Sequence, residues 1–135
     1  MAEARYRYLR PHLEDDVLVL TVVEPHLRSM QFDIGELLRD ELLRAVGEAG
    51  ATKVAVDLSG VEQFGSASFR PLLSLRRYLH ERQGHLLLCG LRPDVREVFL
   101  VTRLIDAEGS SAATFGVAAD AATAVARLKQ AGASK

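Results

Sequence analysis

The stretch Asp57–Leu73 reads DLSGVEQFGSASFRPLL. It leads from a short β-branched segment, Lys53–Leu58 (KVAVDL), through a Gly/Ser turn into an apolar helix. In α/β proteins such a junction often holds a phosphate or a nucleophile. Pro71 sets where the helix starts. A proline is tolerated where its missing N–H would go unbonded, which is the first turn. That argues against a helix starting at or before Ala67. Ser68 is then the N-cap, Pro71 the third helical residue, and Ser66 a loop residue just ahead. Phe69, Leu72, Leu73, Leu75 and Leu79 supply the apolar positions of this helix, which ends near Gly84.

The flanking segments alternate in type. Tyr6–Leu13 and Val17–Val23 read as strands, with Glu14, Asp15 and Asp16 as their hairpin turn. Ile34–Glu48 reads as a helix, with Ile34, Leu37, Leu38, Leu42, Ala45 and Val46 on one face and Gly50 as its stop. The connection Glu24–Asp33 before it is long. His85–Leu91 is a continuous apolar run, as in a strand covered on both faces. Pro93 opens a third helix whose inner face is Val95, Val98, Phe99 and Thr102. Residues 106–114 read as loop and Ala113–Val117 as a short last strand. Asp120 caps a final helix with Ala121, Ala124, Val125 and Leu128 inward. The expected architecture is one α/β domain over residues 1–135, its core about 6–130 and its tail 131–135 frayed. Its sheet is mixed and mostly parallel, with an antiparallel edge strand and about four helices.

Bulk properties narrow the function. The chain has 135 residues, 48% of them hydrophobic, which is enough for one buried core. Seventeen basic residues against eighteen acidic give a net charge of −1 and no electrostatic footprint for nucleic acid. The single Cys89 excludes an internal disulfide, and its apolar run makes it a buried, inert thiol. No apolar stretch is long enough to span a bilayer, and Met1–Arg5 lacks a signal-like segment. The expected location is the cytoplasm.

Three kinds of chemistry fail at the junction. Gly60 and Gly65 match a phosphate-loop spacing, but Ser66 stands where the phosphate-binding lysine belongs. Gly65-Ser66-Ala67-Ser68 does not place a serine between two glycines as a nucleophile elbow does. No dinucleotide fingerprint is present. His12, His26, His80 and His85 have no neighbouring Cys or His at metal-ligand spacing, and Asp57 and Glu62 form no recognisable acid/base pair. No catalytic residue, metal site or cofactor is expected. Two readings of the serines stay open: Ser68 caps the helix and Ser66 turns the loop, or one of them takes a phosphate near the positive helix end.

Asp57–Val61 (DLSGV), followed by a serine-bearing turn into an apolar helix, resembles the signature of STAS domains. These include the bacterial anti-sigma factor antagonists. Gly84–Leu91 (GHLLLCGL), Arg92–Ile105 (RPDVREVFLVTRLI) and Phe115–Val117 with the following Ala-rich helix resemble later parts of the family pattern, in order. The resemblance implies a non-enzymatic interaction module in partner-switching signalling or transcription regulation. Its partner would be an anti-sigma factor that is also a serine kinase, or another signalling protein, and the module itself a monomer or weak homodimer. The partner surface would be Glu62, Gly65, Ser66, Ala67, Ser68, Arg70 and Arg77, with Arg76 beside them, while Phe64 and Phe69 serve the core. The switchable pattern reads DSSG, its second serine taking the phosphate. Here Ala67 holds that position, Gly65 replaces the acid and Ser68 the glycine. Ser66 and Ser68 remain as candidate phosphorylation sites. The alternative of a different class is a sensor of the same fold, holding an anion, nucleotide or other small ligand at Gly65–Ser68.

Overall fold

Strands β1 (Leu9–Glu14) and β2 (Val17–Val22) pair antiparallel in a computed structural model that describes residues 6–24, 26–27, 32–64, 69–104 and 115–133. Glu14 faces Val17 across the turn, so Asp15 and Asp16 form a two-residue loop. Such loops need positive φ, and Asp15 has φ 55°. Asp15 pairs with Lys129, and Asp16 with Lys53 at 2.8 Å. The expected first strand is corrected: its ladder starts at Leu9, not Tyr6. The amides of Arg7 and Tyr8 instead donate to the Glu41 carboxylate, at 2.8 and 2.9 Å.

Helix α1 (Phe32–Ala49) crosses to β4 (Lys53–Asp57), α2 (Phe69–Glu81) to β6 (His85–Cys89), and α3 (Pro93–Val101) precedes β7 (Gly116–Ala118). Helix α4 (Ala121–Ala133) closes the described fold. The five-stranded sheet has the order β1-β2-β4-β6-β7, with every pair after the first parallel. A separate two-stranded sheet joins β3 (His26–Leu27) to β5 (Gln63–Phe64), also parallel. The α/β class, the mixed sheet with its antiparallel edge and the four helices agree with the sequence reading.

Strand periodicity divides the core between two faces. Leu18, Leu20, Val22, Val54, Val56 and Leu88 point to the side where α1, α2 and α3 pack. Val17, Val19, Ala55, Leu87 and Cys89 point to the side covered by α4 through Ala124, Val125 and Leu128. The central residues of β2, β4 and β6 are therefore apolar because both faces are covered, and the polar Thr21, Lys53, Asp57 and His85 stand at or next to strand ends.

Several element ends differ from the sequence reading. Strand β6 stops at Cys89 because Gly90 turns to φ +71°. Thr102 is not part of the inner face of α3. It is the exposed C-cap, its hydroxyl donating to the carbonyls of Val98 and Phe99, and Arg103 follows at φ 62°. Leu37 is 44% exposed, and His85, at the start of the apolar run, is exposed too. The last helix runs past Gln130 to Ala133. The expected loop 106–114 lies outside the described residues.

Candidate functional site

The site is built where β4 leaves the sheet. Leu58 donates its N–H to the Cys89 carbonyl (2.9 Å), and Val61 donates back to the Leu58 carbonyl (2.9 Å), closing a turn over Ser59 and Gly60. Three contacts pin that turn. The Asp57 carboxylate accepts from the Ser59 amide at 2.9 Å. Arg92 Nε donates to the Ser59 carbonyl at 3.0 Å. Gly90 lies so close that a Cβ there would come within 2.7 Å of Asp57 Oδ1. Leu58 and Val61 are buried beneath, while Ser59 and Gly60 face solvent. The DLSGV motif thus divides between a capped turn and the core. Asp57 caps the turn with its carboxylate, Leu58 and Val61 fill the core, and Ser59 and Gly60 make the exposed turn.

Beyond the turn the chain is fastened by aromatics. Phe64 ends β5 and Phe69 begins α2, and both are buried. Their ring centroids are 5.0 Å apart, and each lies 4.9 Å from Phe99, which in turn meets Phe115 at 6.1 Å. Pairs at such distances add about 0.5–1.5 kcal/mol beyond the area they bury. The junction is therefore held to α3 on both sides of residues 65–68. Strand β3 lies against it, with His26 opposite Gln63 and Leu27 opposite Phe64. The long Glu24–Asp33 connection and the junction, separate in the sequence, meet in one small sheet.

The family model described as "Mlab, STAS domain" matches residues 14–106. The chain belongs to the STAS domain family. The curated relative BtrV of Bordetella bronchiseptica, named as an anti-sigma factor antagonist, is 39% identical over 67 residues. That match covers 50% of this chain and 57% of the relative, so the chain spans a little over half of that relative's length. A STAS domain protein of Planctomyces limnophilus, titled an anti-sigma-factor antagonist, is 28% identical with a TM-score of 0.72, covering 90% of this chain and 97% of its own. An RsbS variant of Moorella thermoacetica shares the fold at 17% identity, TM-score 0.69, covering 94% of this chain and 99% of its own. The fold is that of an anti-sigma factor antagonist-like STAS domain.

In this STAS domain Glu62, Arg70 and Arg77 are exposed. Arg77 reaches Glu81 at 3.6 Å, one helical turn on. Gly65, Ser66, Ala67 and Ser68 lie outside the described residues, and so does the expected Ser68 cap. Helix α2 does begin at Phe69, which puts Pro71 at its third position. Asp120 caps α4 as expected, accepting from the Thr123 amide at 2.8 Å, and that bond holds its carboxyl below the usual range. Cys89 is fully buried and donates weakly to the Val56 carbonyl at 3.6 Å. Burial, then the charges of Asp57 and Asp120, push its thiol up to about 12, which makes it a poor nucleophile. Among the described residues no group of three His, Cys, Asp or Glu side chains could hold a metal ion. No described helix is long and apolar enough to cross a membrane.

Sequence reasoning missed two contributors. Arg92 clamps the turn through Ser59, a contact between residues far apart in the chain. Glu41 is buried and accepts both amides that precede β1. A signal for Glu41 existed: it falls on the apolar stripe, three residues after Leu38 and four before Ala45.

Proposed function

We propose that this STAS domain is a non-enzymatic interaction module of a partner-switching pathway, acting in the cytoplasm on an anti-sigma factor with serine kinase activity or a similar signalling protein. Its contact surface is the segment Glu62–Ser68 together with the exposed face of α2 at Arg70 and Arg77. The observation that supports this reading most is the way the junction is built. A turn is pinned by Asp57, Arg92 and Gly90, two phenylalanines anchor the chain beyond it, and Glu62, Arg70 and Arg77 face solvent. That is a fixed platform for contact, and among the described residues no metal-binding cluster surrounds it. The turn sequence supports a constitutive rather than a switched contact, since Ala67 has no hydroxyl where the family pattern takes its phosphate. If a phosphate does regulate it, Ser66 is the better candidate acceptor, since a loop hydroxyl is freer than one expected to cap a helix.

The test begins with the partner recovered from the native host and purified. Its affinity is measured for the wild type and for a variant carrying Glu62→Ser, Ser66→Asp and Ala67→Asp, which leaves Phe64 and Phe69 intact. The affinity should drop at least about tenfold, as for added charge that must be desolvated in a packed interface. Equal affinity with an unchanged melt would remove the junction from the interface. Phosphopeptide mapping of the protein from its host decides regulation: a phosphate on Ser66, with Ser66→Asp losing binding and Ser66→Ala keeping it, would make this a switch.

A further inference from the structure

Leu73 stands on the outer face of α2 and is 38% exposed. On a helix, the surface neighbours of a residue are those three and four positions away. For Leu73 these are Phe69, which is buried, and Arg70, Arg76 and Arg77, which are exposed. An exposed apolar side chain is thus flanked by Arg70 and Arg77 one helical turn to either side, with Arg76, which already makes a contact of its own, beside them. Within α2 the only acid is Glu81, and its contact with Arg77 is long and solvated, so it neutralises little. Among the described residues no hydrogen bond or ion pair holds Arg70. The whole chain is nearly neutral, so this is a local segregation of charge rather than general basicity.

We infer that the partner element seated on α2 is an acidic segment with an aliphatic centre, its carboxylates meeting Arg70 and Arg77 and its aliphatic side chain covering Leu73. The inference rests on the reading of α2 as part of the partner surface and names the chemistry of what binds there. Guanidinium groups match carboxylates with two parallel hydrogen bonds, and their alkyl stems extend the apolar contact around a central leucine. A phosphate backbone would satisfy the arginines but offers nothing to Leu73. An uncharged apolar segment would cover Leu73 and offer Arg70 and Arg77 no carboxylate in a drying interface. The segment that satisfies both carries Glu or Asp on either side of Leu, Ile or Val, at the spacing of α2 itself.

Three helical peptides of about 15 residues, long enough to hold a helix when capped, serve as probes. One has Glu flanking a central Leu, the second Glu flanking Ser, the third Lys flanking Leu. Each is titrated into the isotope-labelled full chain, following the amides of Arg70, Leu73 and Arg77. The Glu/Leu peptide should bind at least about tenfold tighter than the Lys/Leu peptide and about fivefold tighter than the Glu/Ser peptide. The fivefold preference should vanish in Leu73→Ser, and the charge preference should reverse in Arg70→Glu/Arg77→Glu. Equal binding of the Glu and Lys peptides, no benefit from the central leucine, or shifts that avoid α2 would each overturn the inference. So would tighter binding to vesicles of phosphatidylserine and phosphatidylcholine than to any peptide. Binding of the purified partner separates the acidic segment from the surface assignment beneath it. If the junction variant loses the partner and Arg70→Glu/Arg77→Glu does not, the acidic segment fails alone. If neither variant loses it, the surface itself is wrong.

Discussion

Gly90 and Gly50 separate two effects that a glycine can serve. Both have positive φ, +71° and +64°. A Cβ at Gly50 would meet nothing within 4 Å, whereas one at Gly90 would come within 2.7 Å of Asp57 Oδ1 and 3.0 Å of the Ser59 side chain. Gly50→Ala should therefore cost only the left-handed backbone penalty, about 1 kcal/mol. Gly90→Ala adds a clash with the carboxylate that caps the DLSGV turn, and should cost at least about 2 kcal/mol more than that. Urea melts of both variants check this, and equal costs would show that the turn gives way freely. At Glu41 burial acts on a polar group instead. Its two oxygens each accept a backbone amide, so Glu41→Ala should leave the Arg7 and Tyr8 donors unsatisfied and cost about 1–3 kcal/mol per orphaned group. The expected cost shrinks in Glu41→Gln, which keeps one acceptor. A Glu41→Ala melt matching the wild type would mean that water satisfies both amides.

Elements were legible in the sequence where a period repeats, and illegible where a single contact decides. The start of helix α2 could be placed to the residue because Pro71 tolerates only the first turn, and the leucines return every three or four positions, but its end falls at Glu81, short of the expected Gly84. Strand β6 is buried on both faces and reads so, but its end is set by the backbone of Gly90. The sheet β3–β5 has two residues in each strand, too short for any periodicity, and its pairing spans residues 26 to 64. It left no trace in the sequence except a long connection. The charged faces of the site could be read, but not which leucine they surround, since Leu73 satisfies the same helical period as its buried neighbours. The cap of α4 was legible, and it carries a pH prediction. The Thr123 amide lowers the Asp120 pKa, so the cap stabilises the fold above the ordinary carboxylate range and loses that contribution as pH falls through the lowered value. Asp120→Asn keeps an acceptor without the titration. Its stability should fall less steeply than the wild type's below about pH 4. Parallel acid limbs would mean that the Asp120 charge adds nothing to the cap.

Across the whole molecule, the groups displaced upward share one consequence at high pH. Burial raises Cys89 to about 12. Burial, with Glu48 beside it, raises Tyr6, whose hydroxyl donates to Glu48 at 2.5 Å. Asp15 raises Lys129 across the link between the β1–β2 turn and α4. Each of these groups keeps a proton in the folded chain that the unfolded chain gives up earlier. Stability is therefore fully present below the unfolded pKa values and declines as pH rises toward the folded ones. Cys89 acts first, because a free thiol ionises near about 8.5. From about pH 9 it alone should impose a slope approaching 1.4 kcal/mol per pH unit, with Tyr6 and Lys129 adding theirs above about pH 10. Cys89 lies between β4, β6 and α4, so its ionisation would put a charge into the smaller of the two cores. Cys89→Ala removes that titration while leaving Tyr6 and Lys129 in place. At neutral pH the variant should be less stable, because it loses a buried sulfur. Between about pH 8.5 and 10 its stability should change less with pH than the wild type's, so the two curves converge. Urea midpoints measured at half-unit steps of pH would trace both curves. A constant gap between them would show that the thiol can ionise in the folded state, and that the face covered by α4 admits water.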